Sequence, residues 1–277
     1  MKIILETAII SAVLGMLIGV ALGFFREKFA VPSDPLVDKV RAILPGANCG
    51  ACGFAGCDAY ALAAAHQTAA PDRCTTGGKK AGDQIAQLLG LTSSAVDQIA
   101  VLVCQGSRDK APLKADYAGI QSCRAAKITT GGTKLCQWSC IGLGDCTKVC
   151  PFDALHLGDD GLPHVDSTKC TGCGKCVDAC PQNVLTRVSR AKKGAIPLCS
   201  NRNPVKSKVI ATCKIGCIKC EICVKSCPEG AIHMEHGLPV VDEHLCTSCG
   251  TCVAKCPTKV FKLIEKDIIT SRLSSMV

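Results

Sequence analysis

Two segments of the chain carry one spacing, C-x2-C-x2-C-x3-C-P: Cys170, Cys173, Cys176, Cys180 and Pro181, then Cys246, Cys249, Cys252, Cys256 and Pro257. This is the bacterial ferredoxin run, in which three thiolates hold one four-iron cluster and the fourth, before proline, reaches to a second. The runs belong to a longer repeat. Cys123, Cys136, Cys140, Cys146, Cys150, Cys170, Cys173, Cys176 and Cys180 recur at Cys199, Cys213, Cys217, Cys223, Cys227, Cys246, Cys249, Cys252 and Cys256, and Gly161-Leu162-Pro163 recurs at Gly237-Leu238-Pro239. Two copies of one unit are therefore expected.

In the second copy both halves are intact, so Cys217, Cys220, Cys223 and Cys256 form one ligand set and Cys227, Cys246, Cys249 and Cys252 its neighbour. In the first copy Leu143 stands at the position of Cys220. Cys136 is assigned as the replacement, giving Cys136, Cys140, Cys146 and Cys180 as one set and Cys150, Cys170, Cys173 and Cys176 as the other. The alternative exchanges Cys123 and Cys136. Cys213-x3-Cys217-x2-Cys220 also fits the spacing of radical-SAM enzymes, but Cys223 and Cys227-Pro228 follow at once and no barrel-length βα alternation surrounds it. Cys104, Cys123, Cys199 and Cys213 are left over. They either hold a sixth cluster linking the two copies or are buried free thiols of the kind that cores contain. Cys104 ends the apolar run 99–103 and Cys199 the run 195–198, where short strands would turn.

A further group precedes the repeat, Cys49, Cys52, Cys57 and Cys74, spaced C-x2-C-x4-C-x16-C. Glycines between its thiols let the loop curl its N–H groups toward inorganic sulfur. The alanine-rich stretch 58–70 predicts a helix ended by Pro71, carrying the chain back to Cys74. A structural zinc is the alternative, but zinc sites favour two separated C-x2-C pairs, and this group has three clustered ligands and one distant one. A [4Fe–4S] cluster is therefore expected here too.

Cysteine makes up 24 of the 277 residues, and only 3% are aromatic. A disulfide scaffold needs cysteines because it cannot bury a core, whereas about 250 soluble residues could bury one. Residues 8–25 carry no charge, an 18-residue stretch that is about the minimum for a membrane span. Gly15, Gly19 and Gly23 lie on one of its faces, a stripe that could pack on a partner helix. A cleaved signal peptide would have a shorter apolar region and a small-residue cleavage site, whereas Arg26-Glu27-Lys28 follows here. Arg26, Lys28, Lys39 and Arg41 follow the run and only Lys2 precedes it, so the positive-inside bias places the cysteine-rich part in the cytoplasm. That reducing compartment suits thiolates rather than disulfides.

With these residues assembled, the chain resembles the RnfB family, the polyferredoxin subunits of membrane-bound Rnf complexes, in their longer form with two ferredoxin modules. The likeness rests on the apolar N-terminus followed by Leu44-Pro45-Gly46-Ala47-Asn48-Cys49-Gly50-Ala51-Cys52-Gly53, on the Cys49, Cys52, Cys57, Cys74 spacing, and on Gly142-Leu143-Gly144-Asp145-Cys146 leading to Cys150-Pro151. The fold expected is α+β: a transmembrane anchor at 1–30, a small, mainly helical 4Fe–4S domain at 31–98, ferredoxin-like modules at 99–188 and 189–266, and a tail at 267–277. The resemblance implies electron entry from reduced ferredoxin and passage to flavin-bearing membrane subunits and NAD, coupled to Na⁺ or H⁺ transport. Five [4Fe–4S] clusters follow, with the leftover thiols as candidates for a sixth. Two alternatives are a related complex that reduces a redox-sensing regulator and a polyferredoxin serving a hydrogenase or reductase.

No G-x-G-x-x-G or G-x-x-x-x-G-K-[ST] occurs, so nucleotides and flavin are expected on partner subunits. His156, His233, His236 and His244 lie beside cluster loops without a paired carboxylate pattern and read as loop histidines. Lys192, Lys193, Arg202, Lys206 and Lys208 form a basic stretch between the modules, either a docking surface for an acidic ferredoxin or a solvated linker. The formal charge of +9 is misleading. A four-iron cluster with four thiolates carries roughly −2, so six would bring the total to about −3. Nucleic acid is not an expected partner.

Overall fold

The computed structural model describes residues 2–29 and 34–264. Residues 31–33 of the linker and the tail at 267–277 lie outside them. Helix α1 (Lys2–Lys28) is 27 residues long, about 40 Å at 1.5 Å per residue. Its apolar side chains, among them Ile10, Leu14, Leu17 and Phe24, are more than half exposed, and nothing lies within 4 Å of where a Cβ would stand on Gly15, Gly19 or Gly23. Among the described residues no helix is long and apolar enough to cross a membrane.

The domain that follows packs α2 (Pro35–Ile43), α3 (Cys57–Ala65) and α4 (Gly78–Leu89) around Val40, Leu44, Tyr60, Ala64 and Ile85. Asp34 caps α2 by accepting from the Leu36 N–H at 2.8 Å, with Pro35 in the first turn, where a missing N–H costs nothing. Arg41 of α2 pairs with Asp58 of α3 at 2.5 Å. The helix predicted to run to residue 70 ends at Ala65. The Thr68 hydroxyl and the N–H groups of Thr68 and Ala69 all take the Ala63 carbonyl, and the Tyr60 hydroxyl donates to Ala70 O at 2.9 Å. The chain thus folds back over the helix before Pro71 can terminate it.

Two units of one design complete the chain. In the first, β1 (Gln98–Leu102) is followed by α5 (Cys123–Thr130), α6 (Asp145–Lys148), the hairpin of β2 (Leu155–Leu157) and β3 (Pro163–Val165), α7 (Lys175–Ala179) and β4 (Leu185–Ser189). In the second, β5 (Ala195–Pro197) leads to α8 (Lys206–Thr212), α9 (Ile222–Lys225), the hairpin of β6 (Ile232–Glu235) and β7 (Leu238–Val241), α10 (Thr251–Lys255) and β8 (Phe261–Leu263). Each unit is closed by its outer strands, β1 antiparallel to β4 and β5 to β8. Each has a buried seam, Ile99, Val101, Leu155, Val184 and Leu185 in the first and Ala195, Ile232, Val260 and Phe261 in the second.

The strand pairing corrects one equivalence drawn from spacing. Cys199 lies two residues past β5, and the cysteine two residues past β1 is Cys104. Cys123 begins helix α5, on a connection from Cys104 to Cys136 much longer than that from Cys199 to Cys213. An equal offset in number had aligned an inserted helix with a strand end. The units also dock on each other: Ser200 Oγ donates to Val103 O at 3.0 Å, Gln105 Nε2 to Lys259 O and Val260 O at 3.2 Å each, and Ile264 is buried in the first unit's core.

Candidate metal centres

In the N-terminal helical domain the loop from Asn48 to Gly56 turns through left-handed backbone at Asn48, Gly50 and Gly53. The Asn48 carboxamide closes it by accepting from the Cys57 N–H at 2.8 Å. Burial pushes the Cys74 thiol up, the Gly77 N–H at 3.3 Å offsets part of this, and Cys52, Cys57 and Cys49 push it further. The other three thiols predicted for this site therefore lie within electrostatic reach of Cys74. Burial raises Cys49 as well, but the Thr76 hydroxyl at 3.1 Å, the Ala51 N–H and the charge of Lys175 bring it below its usual value.

The four ferredoxin loops share one backbone. The residues on either side of the second ligand position are left-handed in every loop: Gly142 and Gly144, Gly172 and Gly174, Lys219 and Glu221, Ser248 and Gly250. Such alternation turns successive N–H groups inward and makes an anion-binding concavity. Backbone N–H groups already point at sulfur: Ala100 to Cys170, Ala154 to Cys150 and Val260 to Cys256, at 3.4–3.5 Å. A Cβ on Gly194 would stand 2.9 Å from Cys246 Sγ. Among the described residues three buried hydroxyls lack a partner, Thr171, Ser226 and Ser248, and each adjoins a cysteine of a cluster loop. An orphaned buried hydroxyl costs about 1–3 kcal/mol, and inorganic sulfide is the acceptor that a four-iron cluster would bring to these loops. The donor set thus fits the cluster.

Among the described residues no three His, Cys, Asp or Glu side chains close on a single point as ligands of one ion. The thiols are instead gathered into sets. Burial and then Cys170, Cys173, Cys146 and Cys150 push Cys176 up to about 12. Burial, opposed by the Val224 N–H, and then Cys220 and Cys256 push Cys223 up to about 11, as burial, Cys246 and Cys249 do for Cys252. Cys227 packs against the same core as Cys252.

The first unit departs from the expected assignment. Burial, then Cys123 and Cys180, push Cys146 up to about 12, and Cys140 is raised by burial and by Cys104, Cys146 and Cys123, with Lys134 opposing. Cys123, Cys140, Cys146 and Cys180 line one pocket. Cys136, the replacement expected from spacing, lies elsewhere: burial and then Cys104, Cys213 and Cys199 push it up to about 11. The reason is α5. Asp145 accepts from Ser122 Oγ at 2.8 Å and from the Arg124 N–H at 3.1 Å, and Lys127 Nζ reaches Gln182 Oε1 at 2.6 Å, which docks the inserted helix with Cys123 facing the pocket. Leu143 keeps the loop backbone and packs against Cys123, Ala126 and Ile141. The leftover thiols are correspondingly regrouped as Cys104, Cys136, Cys199 and Cys213. The signal in the sequence was the matched position of Cys104 and Cys199 after their apolar runs.

His156 and His236 are exposed and 3.8 Å from Asp153 and Glu235. Lys192 of the basic stretch is 3.0 Å from Glu243, while Lys206 and Lys208 are exposed.

Family models match in four places: a putative Fe–S cluster at 44–76, 4Fe–4S binding domains at 140–154 and 163–186, and a 4Fe–4S dicluster domain at 216–261. The chain is also similar to the B subunits of three complexes. That of the ion-translocating oxidoreductase complex of Methanosarcina acetivorans is 40% identical, covering 95% of this chain and 99% of that protein. Its counterpart in the Na⁺-translocating ferredoxin:NAD⁺ oxidoreductase complex of Acetobacterium woodii is 43% identical over 90% of this chain and 74% of its own length. The one from the proton-translocating ferredoxin:NAD⁺ oxidoreductase complex of Clostridium ljungdahlii is 39% identical over 95% of this chain and 94% of its own length. With these cysteine loops and this near full-length likeness, the chain belongs to the RnfB family, the B subunits of ion-translocating oxidoreductase complexes.

Proposed function

We propose that this chain is the membrane-anchored electron-relay subunit of a ferredoxin:NAD⁺ oxidoreductase complex coupled to Na⁺ or H⁺ translocation. Five [4Fe–4S] clusters are assigned to Cys49, Cys52, Cys57 and Cys74; to Cys123, Cys140, Cys146 and Cys180; to Cys150, Cys170, Cys173 and Cys176; to Cys217, Cys220, Cys223 and Cys256; and to Cys227, Cys246, Cys249 and Cys252. Bound clusters supply one-electron carriers. The chain's own residues hold them at fixed neighbouring positions, shield them from water and aim N–H and hydroxyl donors at sulfur, which sets their potentials.

The observation that carries the reading is the succession of thiol sets toward the N-terminal domain. Cys176 of one set feels Cys146 of the next, Cys173 feels Cys49 of the membrane-proximal set, and Thr75 Oγ1 donates to Cys173 O at 3.5 Å. Helix α1, with its outward apolar side chains and the basic residues after it, serves as a single anchor that keeps the cluster domains on the cytoplasmic side. Reduced ferredoxin is the donor, and flavin-bearing membrane subunits are the acceptors, which places the substrate chemistry outside this chain. Membrane vesicles holding the whole complex are expected to reduce NAD⁺ with reduced ferredoxin. Deleting residues 40–77 is expected to stop that flow, and unchanged turnover would remove the membrane-proximal domain from the path.

A further inference from the structure

Between the two units, Cys104 and Cys136 of the first face Cys199 and Cys213 of the second. Cys136 lies within electrostatic reach of Cys104, Cys213 and Cys199, and Cys213 within reach of Cys199 and Cys104. Cys104 and Cys136 are 9% and 6% exposed. A Cβ on Gly106 would stand 3.5 Å from the sulfur of Cys104 and 3.9 Å from that of Cys213, so residues of both units meet at one point.

Three observations set this group apart from a chance meeting of core thiols. The first is symmetry. Cys104 and Cys199 each follow the opening strand of their unit by two residues, and Cys136 and Cys213 each precede the first ferredoxin ligand, Cys140 or Cys217, by four. The hydrogen bonds repeat with them: the Cys140 N–H donates to Cys104 Sγ at 3.4 Å and the Cys217 N–H to Cys199 Sγ at 3.3 Å. Each unit offers half of the same site. The second is donors aimed at sulfur, the Gly106 N–H to Cys104 Sγ at 3.4 Å and the Asn201 side-chain amide, itself 2% exposed, to Cys136 Sγ at 3.5 Å. The third is a buried cation. Lys134 is 2% exposed and donates to Gly106 O at 2.6 Å, and its charge acts on Cys140, Cys213 and Asp160. A buried ammonium needs compensating negative charge close by. Anionic clusters in the two adjoining thiol sets would supply it.

We infer that Cys104, Cys136, Cys199 and Cys213 hold a sixth [4Fe–4S] cluster, shared by the two units and joining their separate electron paths into one. The inference rests on the relay reading and deepens it. The first unit's nearest thiol set adjoins this site through Cys140 and Cys104, and the second unit's through Cys217 and Cys199. The order of sites then runs from the exposed Cys249 set, through the second unit, across the shared site, through the first unit and on to Cys49. Each transfer moves one electron: the donor cluster is oxidised as its neighbour is reduced, and no bond is made or broken.

The test is iron and acid-labile sulfide counted per chain in the full-length protein, reconstituted without oxygen. The wild type is expected to hold about 24 irons. The Cys136→Ala and Cys199→Ala variants should each lose about four, and their double variant still about four, since both belong to one cluster. The Cys123→Ala/Cys136→Ala double variant should lose about eight. A wild type with about 20 irons overturns the shared cluster whatever the variants do, and leaves the five-cluster relay standing. A Cys136→Ala/Cys199→Ala protein lacking about eight irons overturns the ligand set. A wild type that binds zinc in place of iron fails the relay reading itself.

Discussion

The two ferredoxin-like units share a design and differ in how tightly they close. In the first, Cys123, Cys140, Cys146, Cys170 and Cys176 are all buried, whereas in the second Cys220 and Cys246 are half-buried and Cys249 is exposed. The backbone follows the same division. Before its second ligand position the first unit has Gly142 and Gly172, where a Cβ would meet the carbonyl oxygens of Gly161 at 2.6 Å and Gln98 at 2.4 Å. The second unit carries Lys219 and Ser248 there, side chains in left-handed backbone. A unit enclosed between a docked helix, the N-terminal helical domain and its twin must pack to its glycines. A unit with an open face can carry side chains there and present a cluster loop to a diffusing donor.

The largest effect expected from this contrast concerns the ligand each unit uses. Cys123→Ala should remove about four irons from the first unit, and adding Leu143→Cys should restore them, because Gly142 and Gly144 already hold the second unit's loop backbone. Iron and sulfide analysis reads both. Failure of Leu143→Cys to rescue would show that the first unit's enclosure has outgrown the ferredoxin ligand.

The next effect is on stability. Gly172→Ala should cost about 2–4 kcal/mol, the strain of a left-handed side chain plus displacement of the Gln98 carbonyl. Glu221→Gly in the second unit should gain up to about 1 kcal/mol by relieving a φ of 58°. Thermal loss of cluster absorbance would compare the two, and equal responses would erase the distinction between a tight and an open unit.

Smaller effects should appear as potentials without loss of iron. Lys134→Met removes the buried cation between the first unit and the shared site, so the neighbouring clusters should become harder to reduce in an EPR-monitored redox titration. The smallest shift, also downward, is expected from Thr171→Val and Ser248→Ala, which each delete one hydroxyl aimed at a cluster loop. An unchanged potential in both would mean that these hydroxyls do not reach sulfur.

Spacing along the chain was enough to reveal the cluster chemistry. Three thiols in seven residues, with a fourth before proline, have few uses other than wrapping a cluster, so the ferredoxin loops were legible as patterns, as was the Cys49 group. So was the doubling of the unit. The partners of isolated cysteines were not. Spacing along the chain favoured Cys136 over Cys123 as the replacement for the missing ligand, and only docking of α5 through Asp145, Ser122 and Lys127 brings Cys123 to the pocket. The helix expected at 58–70 stopped early for a local reason, since the Ala63 carbonyl takes the N–H groups of Thr68 and Ala69 in place of that of Gln67.

The sequence by itself determined the loops, because a cluster loop is built from a short run of residues whose glycines and thiols act on one another directly. Tertiary structure alone decided which thiol stands in the first unit's pocket and that Cys104, Cys136, Cys199 and Cys213 come near one another. Those contacts depend on strand pairing and on one unit docking against its twin, which the matched positions of Cys104 and Cys199 after their apolar runs hint at but linear spacing does not fix.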